Sequence, residues 1–259
     1  MKNLNKKILI VGGEGYIGTV IKNYFLDKNY YVDSLDRLIY QNNNSPLSNN
    51  SVKYKFFYGD ILDLKKFKNL NDYGLIIFLA GLVGDPITKK YTKLSNQINN
   101  LSIKKVIDHL VDSYKNKFFF ISTCSNYGLI KNDELADENF YLNPLSAYAR
   151  AKVNIEKYLS STHKKVDYTI FRFATAFGIS PRMRFDLTLN QFVLDVMFNK
   201  KLEIYDADTW RPYCHVYDFA RILEKTYSLN TKKIKHEIFN AGFNQNHSTK
   251  RDLIKLIIK

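Results

Sequence analysis

The sequence predicts an α/β protein built on a doubly wound parallel sheet with a small C-terminal substrate-binding region. Three observations lead there. Short apolar runs alternate with segments of helical spacing, a glycine triplet joins the first run to the first helix, and the alternation is sustained along the chain.

Ile8–Val11 is a short apolar run bounded by glycine, as expected of a buried parallel strand. Gly12, Gly15 and Gly18 follow, and Thr19–Leu26 then has helical spacing. The first glycine permits a tight turn and the second lets backbone approach a pyrophosphate. The third lets the helix pack close to the strand, so that its N-terminus faces the phosphates. This is a Rossmann-type dinucleotide fingerprint in its required strand–helix context.

Tyr30–Asp36 reads as a second strand, and Asp36 stands where a carboxylate accepts hydrogen bonds from an adenosine ribose. Arg37 beside it has the charge to meet a 2′-phosphate, yet Asp36 gives NAD the preference over NADP. Gln41–Ser51, rich in Asn and Ser, reads as an exposed loop. Tyr54–Tyr58 is a third strand ending at Gly59-Asp60. Gly74–Ala80 is a fourth, ending Leu79-Ala80-Gly81, where small residues let backbone pass close to a ligand.

A helix over Asn96–Ser113 follows, then a Phe-rich fifth strand, Lys117–Ser122. Asn143-Pro144 precedes a helix over Ser146–Leu159. Asp167–Phe173 is the sixth strand and Glu237–Ala241 the seventh. The pattern loosens after Gly178. Residues 1–178 therefore read as a cofactor-binding domain, and 179–259 as a substrate-binding region interleaved with the last strand. The chain ends at Leu256–Lys259, inside an expected helix.

At 259 residues and 45% apolar composition, the chain can bury one large α/β core or two modest ones. No apolar run approaches membrane-spanning length. Lysines precede Ile8–Val11 as in a secretory leader, but the run stops after four residues at glycines and Glu14, too short for one. Two cysteines make neither a disulfide framework nor a zinc site, and the five histidines lack metal-ligand spacing. A cytoplasmic location without metal is the expectation. The formal charge of +14 comes mostly from lysine, 31 Lys against 8 Arg, spread along the chain rather than gathered in an arm. Nucleic-acid binding is therefore not expected, and an anionic small substrate needs only a few well-placed cations.

The candidate chemistry centres on Tyr148 and Lys152. Four apart on a helix, they share one face. An ammonium beside a phenol favours the phenolate, which makes the tyrosine a base for an alcohol near neutral pH. Thr123 stands at the end of strand five, the edge where such sheets bind ligands, with a hydroxyl for the same alcohol.

With these motifs in order, the sequence resembles the extended short-chain dehydrogenase/reductases, in their NAD-dependent sugar-nucleotide epimerase/dehydratase branch. The resemblance covers nearly the whole chain. It rests on Gly12-x-x-Gly15-x-x-Gly18, Asp36, Gly59-Asp60, Leu79-Ala80-Gly81, Ser122-Thr123-x-x-x-Tyr127-Gly128 and Tyr148-x-x-x-Lys152. It continues through Phe171–Gly178 and Arg211–Val216, and the run Gly178–Leu187 looks like a subgroup containing epimerases and 4-oxidases for surface polysaccharides.

The resemblance implies that Gly12, Gly15, Tyr16, Ile17, Asp36, Asp60, Ile61, Leu79, Ala80, Gly81, Tyr148 and Lys152 hold NAD. It implies Tyr148 as base toward the 4-hydroxyl of a nucleotide-diphosphate sugar, Lys152 as its cationic partner and Thr123 as orienting hydroxyl. Thr175, Arg182, Asn190 and Arg211 are the substrate candidates, Arg211 as the diphosphate grip. Epimerisation through a 4-keto sugar is the expected reaction. Its alternatives are a 4-oxidase that releases the keto sugar and, in another class, a catalytically weak nucleotide- or RNA-binding relative. Cys124 and Ser125 stand where 4,6-dehydratases carry an Asp-Glu pair, which disfavours dehydration. Pro212 replaces an aspartate that often follows the arginine. A homodimer is implied, pairing the helices over Asn96–Ser113 and Ser146–Leu159. Family members continue beyond the point where this chain ends, so part of the nucleotide pocket is expected to be lacking.

Overall fold

The computed structural model describes residues 5–40, 52–130, 134–162 and 165–259; the expected loop Gln41–Ser51 and His163 lie outside them. In chain order the first half contains β1 (Lys7–Val11), α1 (Tyr16–Asp27), β2 (Tyr31–Asp36), β3 (Tyr54–Tyr58), β4 (Leu75–Phe78), α2 (Asp85–Lys90), α3 (Thr92–Asn96), α4 (Ile103–Ser113) and β5 (Lys117–Thr123). The second half contains α5 (Ala147–Ser161), β6 (Tyr168–Phe173), β7 (Thr175–Phe177), α6 (Thr188–Met197), β8 (Trp210–His215), α7 (Val216–Ser228), β9 (Glu237–Ala241), β10 (His247–Thr249) and α8 (Lys250–Ile258).

Seven strands form one sheet in the order β3-β2-β1-β4-β5-β6-β9, every pair parallel. The winding reverses between β1 and β4, the switch point at which such sheets open a ligand crevice. Strand β1 shows why the layers hold. Ile8 and Ile10 face one core, Leu9 and Val11 the other, and all four are fully buried, each worth roughly 1.5–3 kcal/mol. Period-two alternation with both faces apolar fits a sheet covered on both sides.

Two regions depart from the expected elements. The helix expected over Asn96–Ser113 is interrupted by a π turn, Gln97–Ser102, between α3 and α4. The turn brings Asn99 inward, where its Oδ1 accepts from Leu82 N and its Nδ2 donates to Leu82 O, both at 2.8 Å. Wider helical turns of this kind recur at functional sites. The stretch after Gly178 is also more ordered than its sequence pattern suggests. Phe219, Ala220, Leu223 and Tyr227 place one apolar face of α7 against the main core, with Phe219 stacked on Phe173 at 3.8 Å. Strands β10, β8 and β7 form a second sheet, β7 parallel and β10 antiparallel to β8. Among the described residues no helix is long and apolar enough to cross a membrane.

Candidate active site

The glycine loop lies at the switch point. Gly12 has φ +88°, and a Cβ there would come within 2.7 Å of Ala80 N. A Cβ on Gly18 would lie 2.3 Å from Gly12 O, so α1 and the loop pack without room for a side chain. At Gly15 the nearest such neighbour is 3.5 Å away, and no side chain caps α1 there. The helix N-terminus thus keeps its backbone donors for an anion, and this cradle fits the diphosphate of a dinucleotide.

Asp36, at the end of β2, accepts from Glu14 N at 3.0 Å and from Leu38 N at 2.8 Å. Burial raises its pKa, while the backbone donors oppose the rise. Arg37 is paired with Asp60 at 3.0 Å. Asp60 also accepts from Leu62 N at 3.1 Å, and so caps the short helical turn that begins at Ile61. Leu79 and Ala80 both donate their backbone N–H to Val11 O at 2.9 Å, carrying the chain toward Gly81 beside the loop.

Glu14, which the sequence offers only as a variable position of the motif, is 3% exposed. It accepts from Lys22 Nζ at 2.6 Å and from the Tyr54 hydroxyl at 2.8 Å. Burial, then the Glu14 charge, drives the Tyr54 phenol far above its ordinary value, which fixes it as a donor.

Tyr16 is buried, its hydroxyl donating to Gly178 O at 2.7 Å and accepting from Asn190 Nδ2 at 3.0 Å. Asn190 also donates to Arg184 O and accepts from Gly178 N. Both residues thereby strap the segment after β7 across the N-terminus of α1. On that segment the Arg182 guanidinium lies 4.5 Å over the Tyr40 ring. Arg184 makes a two-point contact with Asp186 and lies within electrostatic reach of Tyr148. Ile17 is half-buried beside Tyr16 on α1.

The catalytic candidates converge where β5 meets α5. Ser146 caps α5, accepting from Ala149 N at 3.1 Å. Lys152 is 4% exposed, donates to Ile121 O at 2.7 Å, and lies 5.8 Å from the Tyr148 ring centre. Burial brings its pKa down to about 8, with Glu156 pulling the other way. Thr123 ends β5 with its hydroxyl accepting from Ser125 N at 3.2 Å. One turn beyond Lys152, Glu156 is buried against Arg172 of β6 at 2.7 Å. Its place on the Tyr148–Lys152 helix face was readable from spacing, but its partner was not.

A cavity of about 970 Å³ opens beside this junction, lined among others by Cys124, Ser125, Ser146, Arg211, Trp210 and Phe243. That volume suits a drug-sized ligand. Burial pushes the Cys124 thiol up, against the pull of Arg211, so Cys124 is no ready nucleophile. Thr175 neighbours the same thiol from β7. Among the described residues, no group of His, Cys, Asp and Glu is arranged to hold a metal.

A dinucleotide cradle at the switch point, with a Tyr–Lys pair against the end of the neighbouring strand, defines an extended short-chain dehydrogenase/reductase. The model of the NAD dependent epimerase/dehydratase family matches residues 8–242, and the chain belongs to that family. It is an enzyme family, and its cofactor is NAD. The chain is 26% identical over 256 residues to a putative UDP-glucose 4-epimerase of Methanocaldococcus jannaschii, covering 96% of this chain and 81% of that one. To the UDP-glucose 4-epimerase of Bacillus subtilis it is 25% identical, covering 93% and 78% respectively. The crystal structure of UDP-glucuronic acid 4-epimerase from Bacillus cereus, in complex with UDP-glucuronic acid and NAD, superposes with a TM-score of 0.85 at 25% identity. It covers 97% of this chain and 82% of that one.

Proposed function

We propose that this protein is an NAD-dependent sugar-nucleotide epimerase working through a 4-keto intermediate. One observation carries the reading: Lys152 is buried, anchored to Ile121 O at the end of β5, and faces the Tyr148 ring. A desolvated ammonium beside a phenol stabilises the phenolate. Tyr148 then takes the proton of the sugar's 4-hydroxyl and later returns it. Thr123 orients that hydroxyl and the developing oxyanion.

Gly12, Gly15, Tyr16, Ile17, Asp36, Leu79, Ala80 and Gly81 surround the cofactor in this reading, with Asp60 and Ile61 flanking it and Lys152 on a ribose. NAD, when bound, supplies the hydride acceptor. Arg211, which lines the cavity, grips the diphosphate. Thr175 and Arg182 border the sugar, and Asn190 holds the strap over both ligands. Cys124 and Ser125 line the cavity without a carboxylate between them, which argues against proton transfers at carbons five and six.

UDP-sugars are the first substrates to test, given the relatives. Mass spectrometry of the product decides the reaction. Unchanged mass with an altered sugar is expected; loss of two hydrogens would mark a 4-oxidase, and salt-dependent RNA binding without turnover a binding protein. The reading also pairs two copies through α4 and α5. Lys105, Asp108, Asn154 and Lys157 are exposed there, so the contact is polar, and light scattering should return twice the chain mass.

A further inference from the structure

We propose that Glu156 is a positioning residue of this site: clasped by Arg172, Ser122 and Asn126, it locks the end of β5 onto α5 so that Thr123 and Tyr148 address the same substrate carbon. The proposal rests on the reading of Thr123, Tyr148 and Lys152 given above.

Glu156 and Arg172 side chains are 4% and 3% exposed. An ionised carboxylate at that depth must be paired and hydrogen-bonded, and here the donors come from two segments, β6 and the stretch from Ser122 to Asn126. Arg172 of β6 supplies Nε at 3.3 and 3.2 Å and Nη2 at 2.7 Å. Asn126 supplies Nδ2 at 2.7 Å from the turn after Thr123. Ser122, the residue before Thr123, donates its hydroxyl. Both carboxylate oxygens are thereby engaged, and Lys152, one turn earlier on α5, turns to Ile121 O.

Two residues four apart on one helix face thus grip consecutive residues of β5, Lys152 on Ile121 and Glu156 on Ser122, with Thr123 next in line. The β6 ladder holds the strand end within the sheet, with Thr123 opposite Phe173, and the two side-chain contacts tie it to α5 as well. The grip extends to the cavity wall. Arg172 Nη1 donates to the Tyr127 hydroxyl at 2.8 Å, which donates to Asn240 Oδ1 at 2.7 Å. Arg172, Tyr127 and Asn240 all line the cavity. Every donor to Glu156 other than Arg172 comes from Ser122 and Asn126, on either side of Thr123.

The groups facing Lys152 are Tyr148 and Glu156 from α5 and the Phe120 ring of β5, with Arg172 of β6 behind Glu156. Removing the Glu156 charge deletes the one carboxylate that favours the Lys152 ammonium and leaves Arg172 uncompensated. Both changes push the Lys152 pKa in the same direction, downward from about 8.

The test is Glu156→Gln in the full chain, assayed with NAD and a turned-over nucleotide sugar across pH. Displacement of Thr123 predicts a fall in kcat of about 100-fold, an almost unchanged KM, and an alkaline limb moved to lower pH. The ¹³Cε resonance of Lys152, identified by its loss in Lys152→Met, should titrate at lower pH as well. A variant that melts earlier but keeps kcat would overturn the proposal, wherever its alkaline limb lies. Should Glu156→Gln not fold, Ser122→Ala removes one grip without removing charge. It should cost about tenfold in kcat, and full retention would overturn the grip. If the wild-type chain turns over no nucleotide sugar, the functional reading fails, and amide hydrogen exchange still decides the grip: faster exchange at Thr123 and Ser125 in Ser122→Ala than in wild type supports it, and unchanged exchange overturns it.

Discussion

Two buried ion pairs sit on opposite sides of the crevice, and they differ in how they are assembled. Glu14–Lys22, with both side chains fully buried, joins the glycine loop to the helix that follows it, eight residues apart. Glu156–Arg172 joins α5 to β6 and gathers Ser122 and Asn126 besides. The first stiffens a cradle that is local in sequence. The second sets the relation between elements distant in sequence. In this reading the phosphate cradle is built mainly from contiguous chain, and the catalytic geometry from tertiary packing.

Neutralising each acid separately is the strongest way to break the comparison. Glu14→Gln strands the Lys22 ammonium at full burial and should cost about 3–5 kcal/mol, measured by denaturant unfolding. It should weaken NAD affinity while leaving the alkaline limb of kcat where it is, in contrast to Glu156→Gln. If the two variants lose stability alike and neither moves the limb, the distinction between cradle and grip disappears.

A pH experiment sharpens the catalytic side. Lys152 is depressed from 10.5 to about 8 in the folded protein, so the unfolded chain binds more protons between those values. Stability from this group therefore rises as pH climbs from about 8 to 10.5, and the full penalty, about 3 kcal/mol, applies below that window. Melting temperatures of wild type and Lys152→Met should diverge across it, the variant lacking the rise. Parallel curves would mean that Lys152 is not desolvated.

The smallest expected effect is at the start of α5. Ser146→Ala removes the cap on Ala149 N and should cost about 1 kcal/mol with little change in the pH profile, by thermal unfolding. A large kcat loss there would show that the grip on β5 does not by itself position Tyr148.

The same contrast explains what was legible in the sequence. The strands of the main sheet and the glycine loop follow from apolar runs and from backbone demands that only glycine meets, both local signals. The Tyr148–Lys152 face is likewise a matter of helical spacing. Glu14 was unreadable because its partners, Lys22 and Tyr54, approach only after α1 and β3 have packed. Glu156 lay on a readable face, but nothing local names Arg172 or Ser122 as its partners. The π turn at Gln97–Ser102 stayed hidden because the clasp that goes with it, Asn99 on Leu82, joins residues 17 positions apart. Helix α7 carried a helical apolar spacing in Phe219, Ala220, Leu223 and Tyr227, but it lies within the stretch of loosened pattern after Gly178.

The central claim, that Tyr148 is the base whose charge Lys152 sustains, is tested most directly by Tyr148→Phe. The variant keeps the ring and removes only the hydroxyl. Turnover of whichever nucleotide sugar the wild type converts should fall by about a thousandfold, with NAD still raising the melting temperature as in wild type. Turnover at the wild-type rate would contradict the account.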